Sequence, residues 1–269
     1  MSSATKTLGL LSHFSPAHPE IGLSQLCRMA RRDKATTYRH LQALEEAGFI
    51  EQNPMTKHYR LGPIVLQLAQ IREATVPRKN SVEAPLFELA NATGETSHVT
   101  VLSGPTVYGL ASCESPKHGT RAIIDLQTFP LHATASGLCA LAFGPTSLLD
   151  TAVANLQEFT TRTATTQPDL EAKVEATRAC GFGRADRSYE AEVHGMSAPI
   201  FDQTGHYAGA VSVASVAARF TPALGQIIHE QLAIASREIT YSWGGTLPAC
   251  IETAWAKTLS HPHALDTTP

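Results

Sequence analysis

The sequence predicts an α+β protein: a small helical head closed by a β-hairpin, a connecting helix, and a larger body in which one antiparallel sheet is flanked by helices. Three observations carry this. A capped amphipathic helix over 34–48 follows a second short helical segment, a strand–turn–strand pattern occupies 49–61, and strands alternate with helix pairs from residue 81 onward. At 269 residues the chain is long enough for two domains, each with its own core.

In the head, Ala4, Leu8 and Leu11 mark a first helix. Gly22–Ala30 is a second, with Leu23, Leu26, Cys27 and Ala30 inward. The third is the most informative. Asp33 is placed to cap it by accepting from a free N–H of the first turn, and Gly48 ends it. Thr37, Leu41 and Leu44 recur at i, i+4 and i+7 and form its buried stripe, while Lys34, Thr36, Tyr38 and Arg39 crowd its first two turns with hydrogen-bonding groups. An apolar back with a polar, cationic tip suits a DNA major groove. The second and third helices are separated by a few residues and read as a helix-turn-helix. Phe49–Gln52 and Lys57–Leu61 around Asn53-Pro54-Met55-Thr56 read as a hairpin, which makes the head (residues 1–62) a winged helix-turn-helix. Thr36, Thr37, Tyr38 and Arg39 are the expected groove contacts, with Lys34 beside them. Lys57, His58 and Arg60 are the expected phosphate contacts of the wing.

Charge agrees with this division. Residues 1–80 hold eleven Lys+Arg against six Asp+Glu, a balance of +5, whereas the remainder is at −8 and the whole chain at −3. A basic head is sufficient for the phosphate contribution to binding even when the chain is slightly acidic overall.

Residues 63–80 form a linker in which Ile64, Leu66, Leu68, Ala69 and Ile71 give an apolar helix ending before Pro77. So much apolar surface requires a cover, either the same helix of a second copy or the chain's own body. The body, 81–245, opens with a helix over Val82–Ala92. Strands are expected at Ser97–Ser103, Val107–Ser112 and Ala122–Leu126, followed by helices at Ala133–Phe143 and 146–157. A threonine-rich loop over 160–168 precedes a helix that Pro168 starts, running to Gly181. Met196–Phe201 and Tyr207–Val216 form a hairpin, and a long helix over 221–242 closes the domain. The segment 246–269 is polar and proline-bearing and is expected to be a mobile tail.

Several function classes find no support. The five cysteines are scattered without a Cys-x-x-Cys pair, so neither a zinc cluster nor a redox dithiol is expected. The twelve histidines include no His-x-x-x-His with an intervening carboxylate, and no metal site is expected. No serine-hydrolase elbow, phosphate-cradling loop or dinucleotide fingerprint is present; no catalytic residue and no cofactor are assigned. With no secretory signal and no apolar run of bilayer length, a soluble, cytoplasmic protein without membrane contact is expected.

At this point the chain resembles the IclR family of bacterial transcription regulators over roughly residues 5–245. In the head the resemblance rests on Ala35-Thr36-Thr37-Tyr38-Arg39-His40-Leu41 and Tyr59-Arg60-Leu61-Gly62. In the body it rests on Leu131-His132-Ala133-Thr134-Ala135-Ser136-Gly137, Gly181-Phe182, Ala198–Asp202 and Ala210-Val211-Ser212-Val213. It implies a winged helix-turn-helix domain joined by a helix to a GAF- or profilin-like effector and oligomerisation domain. It further implies homodimers that pair into homotetramers, double-stranded operator DNA as partner, and a small-molecule effector, commonly an organic acid. By position the ligand-binding residues would be Thr134, Ala135, Ser136, Gly137, Asp186, His194, Gly195 and Ser212. A helix N-terminus at the first of these suits a carboxylate, and His194 could add charge or a hydrogen bond.

The chain departs from the family pattern in places. Leu138 stands where lysine is usual, Gly195 where some members have a polar or cysteine side chain, and Ala214 replaces a second serine. An acidic pair is reduced to Asp186 followed by Arg187, which would add a cation to the pocket. Two other readings of the body stay open: an oligomerisation module without ligand, or an enzyme acting on a small acid.

Overall fold

A computed structural model describes residues 2–15, 17–124 and 128–260, in two compact units, Met1–Pro77 and Arg78–Pro269. No helix among the described residues is long and apolar enough to cross a membrane.

The first unit contains α1 (Ser3–Leu8), α2 (Leu23–Ala30), α3 (Lys34–Glu46), the two-stranded sheet of β1 (Ile50–Gln52) and β2 (Tyr59–Leu61), and α4 (Pro63–Thr75). Asp33 caps α3 as expected, its Oδ1 accepting from Thr36 N at 2.8 Å. Gly48 takes φ +75°, a conformation a Cβ would strain, and lets the chain leave the helix for the wing. The core is Leu10, Ile21, Leu26, Leu41, Leu44, Ile50 and Tyr59. The expected first-helix contact is displaced: α1 buries nothing and Leu8 is exposed, because the helix ends one turn early and Leu10 fills the core instead. Helix α4 buries no residue within its unit, and Leu66, Leu68 and Ile71 stand exposed.

The second unit is built on one six-stranded antiparallel sheet. It begins with α5 (Glu83–Thr93), β3 (Thr96–Ser103) and β4 (Thr106–Cys113), then the short β5 (Thr128–Phe129). Helices α6 (Ala135–Phe143), α7 (Ser147–Val153) and α8 (Gln167–Cys180) follow. The chain returns to the sheet with β6 (Gly183–Asp186), β7 (Val193–Phe201) and β8 (Tyr207–Val216), and ends with α9 (Pro222–Ser242) and α10 (Ala249–Ser260). Strand order is β5-β4-β3-β8-β7-β6, two three-stranded meanders joined where β3 pairs with β8. Helices α5 and α9 cover one face, and α6 lies on the other.

Three expectations need correction. Residues 122–124 are not a strand, because Ala122 is tied by its carbonyl to the Thr96 hydroxyl rather than to a ladder; residues 125 and 126 of that expected strand lie outside the described residues. Strand β6 and the first half of β7 read as loop in the sequence, since Gly183, Arg184, Gly195 and His194 lack the apolar alternation of a strand. The third concerns the tail. Residues 249–260 form α10, and Trp255 is fully buried: its indole stacks on Phe182 at 5.4 Å, donates from Nε1 to Gly181 O at 2.8 Å and lies beneath the Arg237 guanidinium. Arg237 in turn makes a two-bonded contact with Glu252. Residues 261–269 lie outside the described residues.

Trp255→Ala should therefore destabilise the second unit by about 3–5 kcal/mol, the usual cost of emptying a buried aromatic site. Urea unfolding followed by far-ultraviolet circular dichroism measures it; a midpoint equal to the parent's would mean that α10 contributes nothing to the core.

Candidate functional site

In the first unit the tip of α3 presents Lys34, Tyr38 and Arg39 as exposed side chains, with Thr36 half-buried beside the Asp33 cap. Thr37 does not belong with them. It is completely buried, and its Oγ1 donates to Asp33 O at 2.8 Å, as its place on the stripe of Leu41 and Leu44 requires. His40, also buried, shares a 2.7 Å hydrogen bond between its Nδ1 and the Thr7 hydroxyl that ties α3 to α1. On the wing, Lys57 and His58 are exposed, Lys57 in the left-handed region at φ 59°. Arg60 is exposed but engaged: its Nε lies 2.6 Å from Glu51 Oε1 and its Nη1 3.5 Å from Glu20 Oε1. Any phosphate contact by Arg60 must compete with these carboxylates.

The second unit contains a cavity of about 260 Å³ on the α6 face of the sheet. Its floor follows from the pleat. Side chains alternate across a strand, and the registers Ala185↔Gly195, Gly195↔Ala214 and His98↔Ser212 place one set of residues on the same face across β6, β7, β8 and β3. Ala185, Gly195 and Ala214 are small, and their shortness leaves the space. Ile123, Ile124, Phe129 and Val193 provide apolar wall, and the start of α6 (Thr134, Ala135, Ser136) provides the polar one. Helix α6 reaches the sheet so closely because Gly183 has no side chain: a Cβ there would sit 2.3 Å from Ala135 O.

Thr134 caps α6, its Oγ1 accepting from Gly137 N at 3.1 Å, and the first intrahelical bond runs from Leu138 N to Thr134 O. The N–H groups of Ala135 and Ser136 precede that bond and carry the positive end of the helix dipole. Three buried polar atoms of the lining have no hydrogen-bond partner: Ser136 Oγ, Ser212 Oγ and His98 Nδ1. Leaving a buried polar group unsatisfied costs about 1–3 kcal/mol, and three such atoms border this one cavity, where a polar guest or water can satisfy them; two more, His194 Nδ1 and Ser215 Oγ, lie away from it. Burial lowers the His98 pKa to about 4, which keeps the ring neutral at pH 7, stacked on Phe129 at 5.3 Å.

Of the eight ligand positions expected from the sequence, Thr134, Ala135, Ser136, Gly195 and Ser212 line this cavity and three do not. Gly137 is a packing residue; a Cβ there would lie 2.5 Å from both Leu131 O and Pro130 O. His194 neighbours Gly195 on β7 and so must point to the opposite face. There it is buried, stacks on Phe220 at 3.7 Å and accepts from Arg184 Nε at 3.2 Å. Asp186 pairs with His194 in register, on that same face, and its carboxylate is held by Arg162 and Arg187. Arg187, expected to bring a cation to the pocket, is occupied by this pair and does not line the cavity. His98, Tyr189 and Glu190 line it without having been anticipated. For His98 a signal existed, an isolated imidazole in an otherwise uncharged strand, but its place opposite Ser212 depends on a long-range register. No group of three or more His, Cys, Asp or Glu suited to a metal ion occurs among the described residues.

On the α9 face, burial first and Arg184 second lower the His194 and His229 pKa values, each to about 4. With His98, three histidines are thus neutral in the fold and protonate near 6.5 when unfolded. Depressed values mean that their contribution is complete above pH 6.5 and is lost as pH falls towards 4. Urea midpoints of the second unit should accordingly drop between pH 7.5 and pH 5; equal midpoints would show that the three rings titrate normally in the native state.

Comparisons with known proteins agree over both units. The family profile of the bacterial transcriptional regulator IclR C-terminal domain matches residues 75–241, and that of the IclR helix-turn-helix domain matches residues 3–54. The HTH-type transcriptional regulator XynR of Escherichia coli is 24% identical over 247 residues, covering 91% of this chain and 98% of XynR. A crystal structure from Silicibacter sp. TM1040, assigned to the IclR transcriptional regulators, is 37% identical with a TM-score of 0.86, covering 93% of this chain and 99% of the other. An IclR homologue from Microbacterium hydrocarbonoxydans, solved in complex with 4-hydroxybenzoate, shares the fold at 19% identity and a TM-score of 0.70, covering 89% of this chain and 100% of its own.

Proposed function

The chain belongs to the IclR family of bacterial transcriptional regulators, and on that premise we propose that a small organic acid in the 260 Å³ cavity controls its binding to operator DNA. The carrying observation is the convergence of Ser136 Oγ, Ser212 Oγ and His98 Nδ1, all buried and unpartnered, beside the first-turn N–H groups of α6. Hydroxyls, a neutral imidazole and a helix N-terminus together suit a carboxylate. The 4-hydroxybenzoate bound by the Microbacterium relative is a ligand of this chemical kind.

In this reading Lys34, Thr36, Tyr38 and Arg39 enter the major groove, and Lys57 and His58 hold phosphates, with Arg60 joining them only if it leaves Glu51 and Glu20. Helix α4, with Leu66, Leu68 and Ile71 exposed, pairs with its copy in a homodimer, which presents two recognition helices to two half-sites; pairs of dimers then form the tetramer. The acid shifts the arrangement of these helices by as much as its affinity differs between the two arrangements. An effector-free oligomerisation module is the weaker reading, because it leaves the three polar atoms of the cavity without a purpose.

Arg39→Ala should weaken operator binding roughly ten- to a hundredfold, the range expected for loss of a bidentate base contact, with no change in thermal stability. A gel-shift titration measures this, and undiminished affinity removes Arg39 from the interface. Ser212→Val should leave DNA binding without effector intact and abolish the thermal shift produced by small carboxylates. An unchanged shift would take the effector away from this cavity.

A further inference from the structure

We infer that the cavity selects acids carrying one carboxylate and, at the opposite end, a hydrogen-bond donor (a hydroxyl or an ammonium), and that Glu190 reads that donor. This rests on the effector reading above and narrows it.

The argument starts from charge. No lysine or arginine occurs among the described lining residues; Glu190 is the carboxylate of the set, and the other polar groups are neutral. The nearby guanidinium groups are committed elsewhere: Arg162 and Arg187 to Asp186, and Arg184 to His194 on the other face. At the inner end the N–H groups of Ala135 and Ser136, the hydroxyls of Ser136 and Ser212 and the His98 imidazole can satisfy one carboxylate. None of the described lining residues can neutralise a second, which would meet Glu190.

Glu190 sits at the exposed mouth on a braced loop. Arg187 N donates to Val193 O at 3.0 Å and Val193 N to Glu190 O at 3.2 Å, which closes the turn. Ser188 Oγ donates to Ala133 O at 2.9 Å, Thr163 Oγ1 donates to Ser188 O at 2.6 Å, and the Tyr189 ring meets Phe159 edge-on at 4.9 Å. The loop bearing Glu190 is therefore bonded to the very turn that starts α6, so its backbone at the mouth is held relative to the first-turn donors of α6. Burial, then the Glu192 carboxylate, raise the Glu190 pKa, and a hydrogen-bond donor brought by the ligand opposes this by favouring the ionised carboxylate. Between the two ends Ile123, Ile124, Phe129 and Val193 accept a carbon body. The volume of about 260 Å³ exceeds the ~150 Å³ that admits benzene, leaving space for a ring or short chain with two substituents.

Isothermal titration of the full chain with two shape-matched series tests this. One is butyrate, 4-hydroxybutyrate, 4-aminobutyrate and succinate; the other is benzoate, 4-hydroxybenzoate, 4-(aminomethyl)benzoate and terephthalate. In the series whose length fits, the hydroxyl or ammonium acid should bind roughly five- to tenfold tighter than the unsubstituted acid, with the diacid weakest. Glu190→Gln, isosteric and at the exposed mouth, should collapse this spread. A diacid that binds as well as its hydroxy partner, or an order that Glu190→Gln leaves intact, overturns the inference while the effector reading stands. Failure of all eight acids to bind, or binding that Ser212→Val does not alter, overturns the effector reading and the inference with it.

Discussion

The second unit depends on how closely α6 lies against the sheet. A helix normally stands about 10 Å off a neighbouring element because side chains separate them. Here Gly183 lets the carbonyl of Ala135 approach to within 2.3 Å of where a Cβ would be, and Gly137 lets the helix's first turn seat on the carbonyls of Pro130 and Leu131. This contact brings backbone N–H groups, rather than side-chain tips, down to the strand face that carries Ser212 and His98. The cavity is the space left beside the contact by the short side chains of Ala185, Gly195 and Ala214. A methyl group at Gly183 would lift the helix and separate the polar groups that now converge.

The sheet's two faces divide the unit's chemistry. On the α6 face Ser136 Oγ, Ser212 Oγ and His98 Nδ1 lack partners and border open volume, while Ser197 Oγ meets Cys139 Sγ at 3.1 Å. On the α9 face Asp186 holds Arg162 and Arg187, His194 accepts from Arg184, and Ser236 donates to Pro199 O, whereas His194 Nδ1 and Ser215 Oγ are unpartnered without bordering the cavity. The buried Glu95 is matched by Arg219 through two bonds, and Arg219 also donates to Thr120 O, bracing the segment that becomes the cavity's apolar wall at Ile123 and Ile124. The threonine-rich stretch has a similar task. Thr160 and Thr163 donate to Arg187 O and Ser188 O, while Thr166 caps α8.

Legibility in the sequence followed the range of the interaction that fixed each feature. Helix α3 was readable almost to the residue because its cap, its stripe and its stop all lie within the segment. Strand β8 was readable because its apolar run is continuous. Strand β6 was not, since four residues of mixed character become a strand only through their pairing with β7. The cavity divided in the same way: Thr134 and Ser136 belong to a local turn, whereas assigning His194 and Gly195 together required treating as a loop what is a strand, on which neighbours cannot share a face. Helix α10 escaped because its burial depends on Phe182 and Gly181, far away in the chain.

Both tryptophans of the chain, Trp243 and Trp255, belong to the second unit, and each lies under a guanidinium, Arg78 at 4.4 Å and Arg237 at 5.2 Å from the ring centre. The first unit has only tyrosines as chromophores of comparable use. Indole emission excited at long wavelength consequently originates in the second unit. Its intensity and colour follow the packing against Phe182 and Ser81.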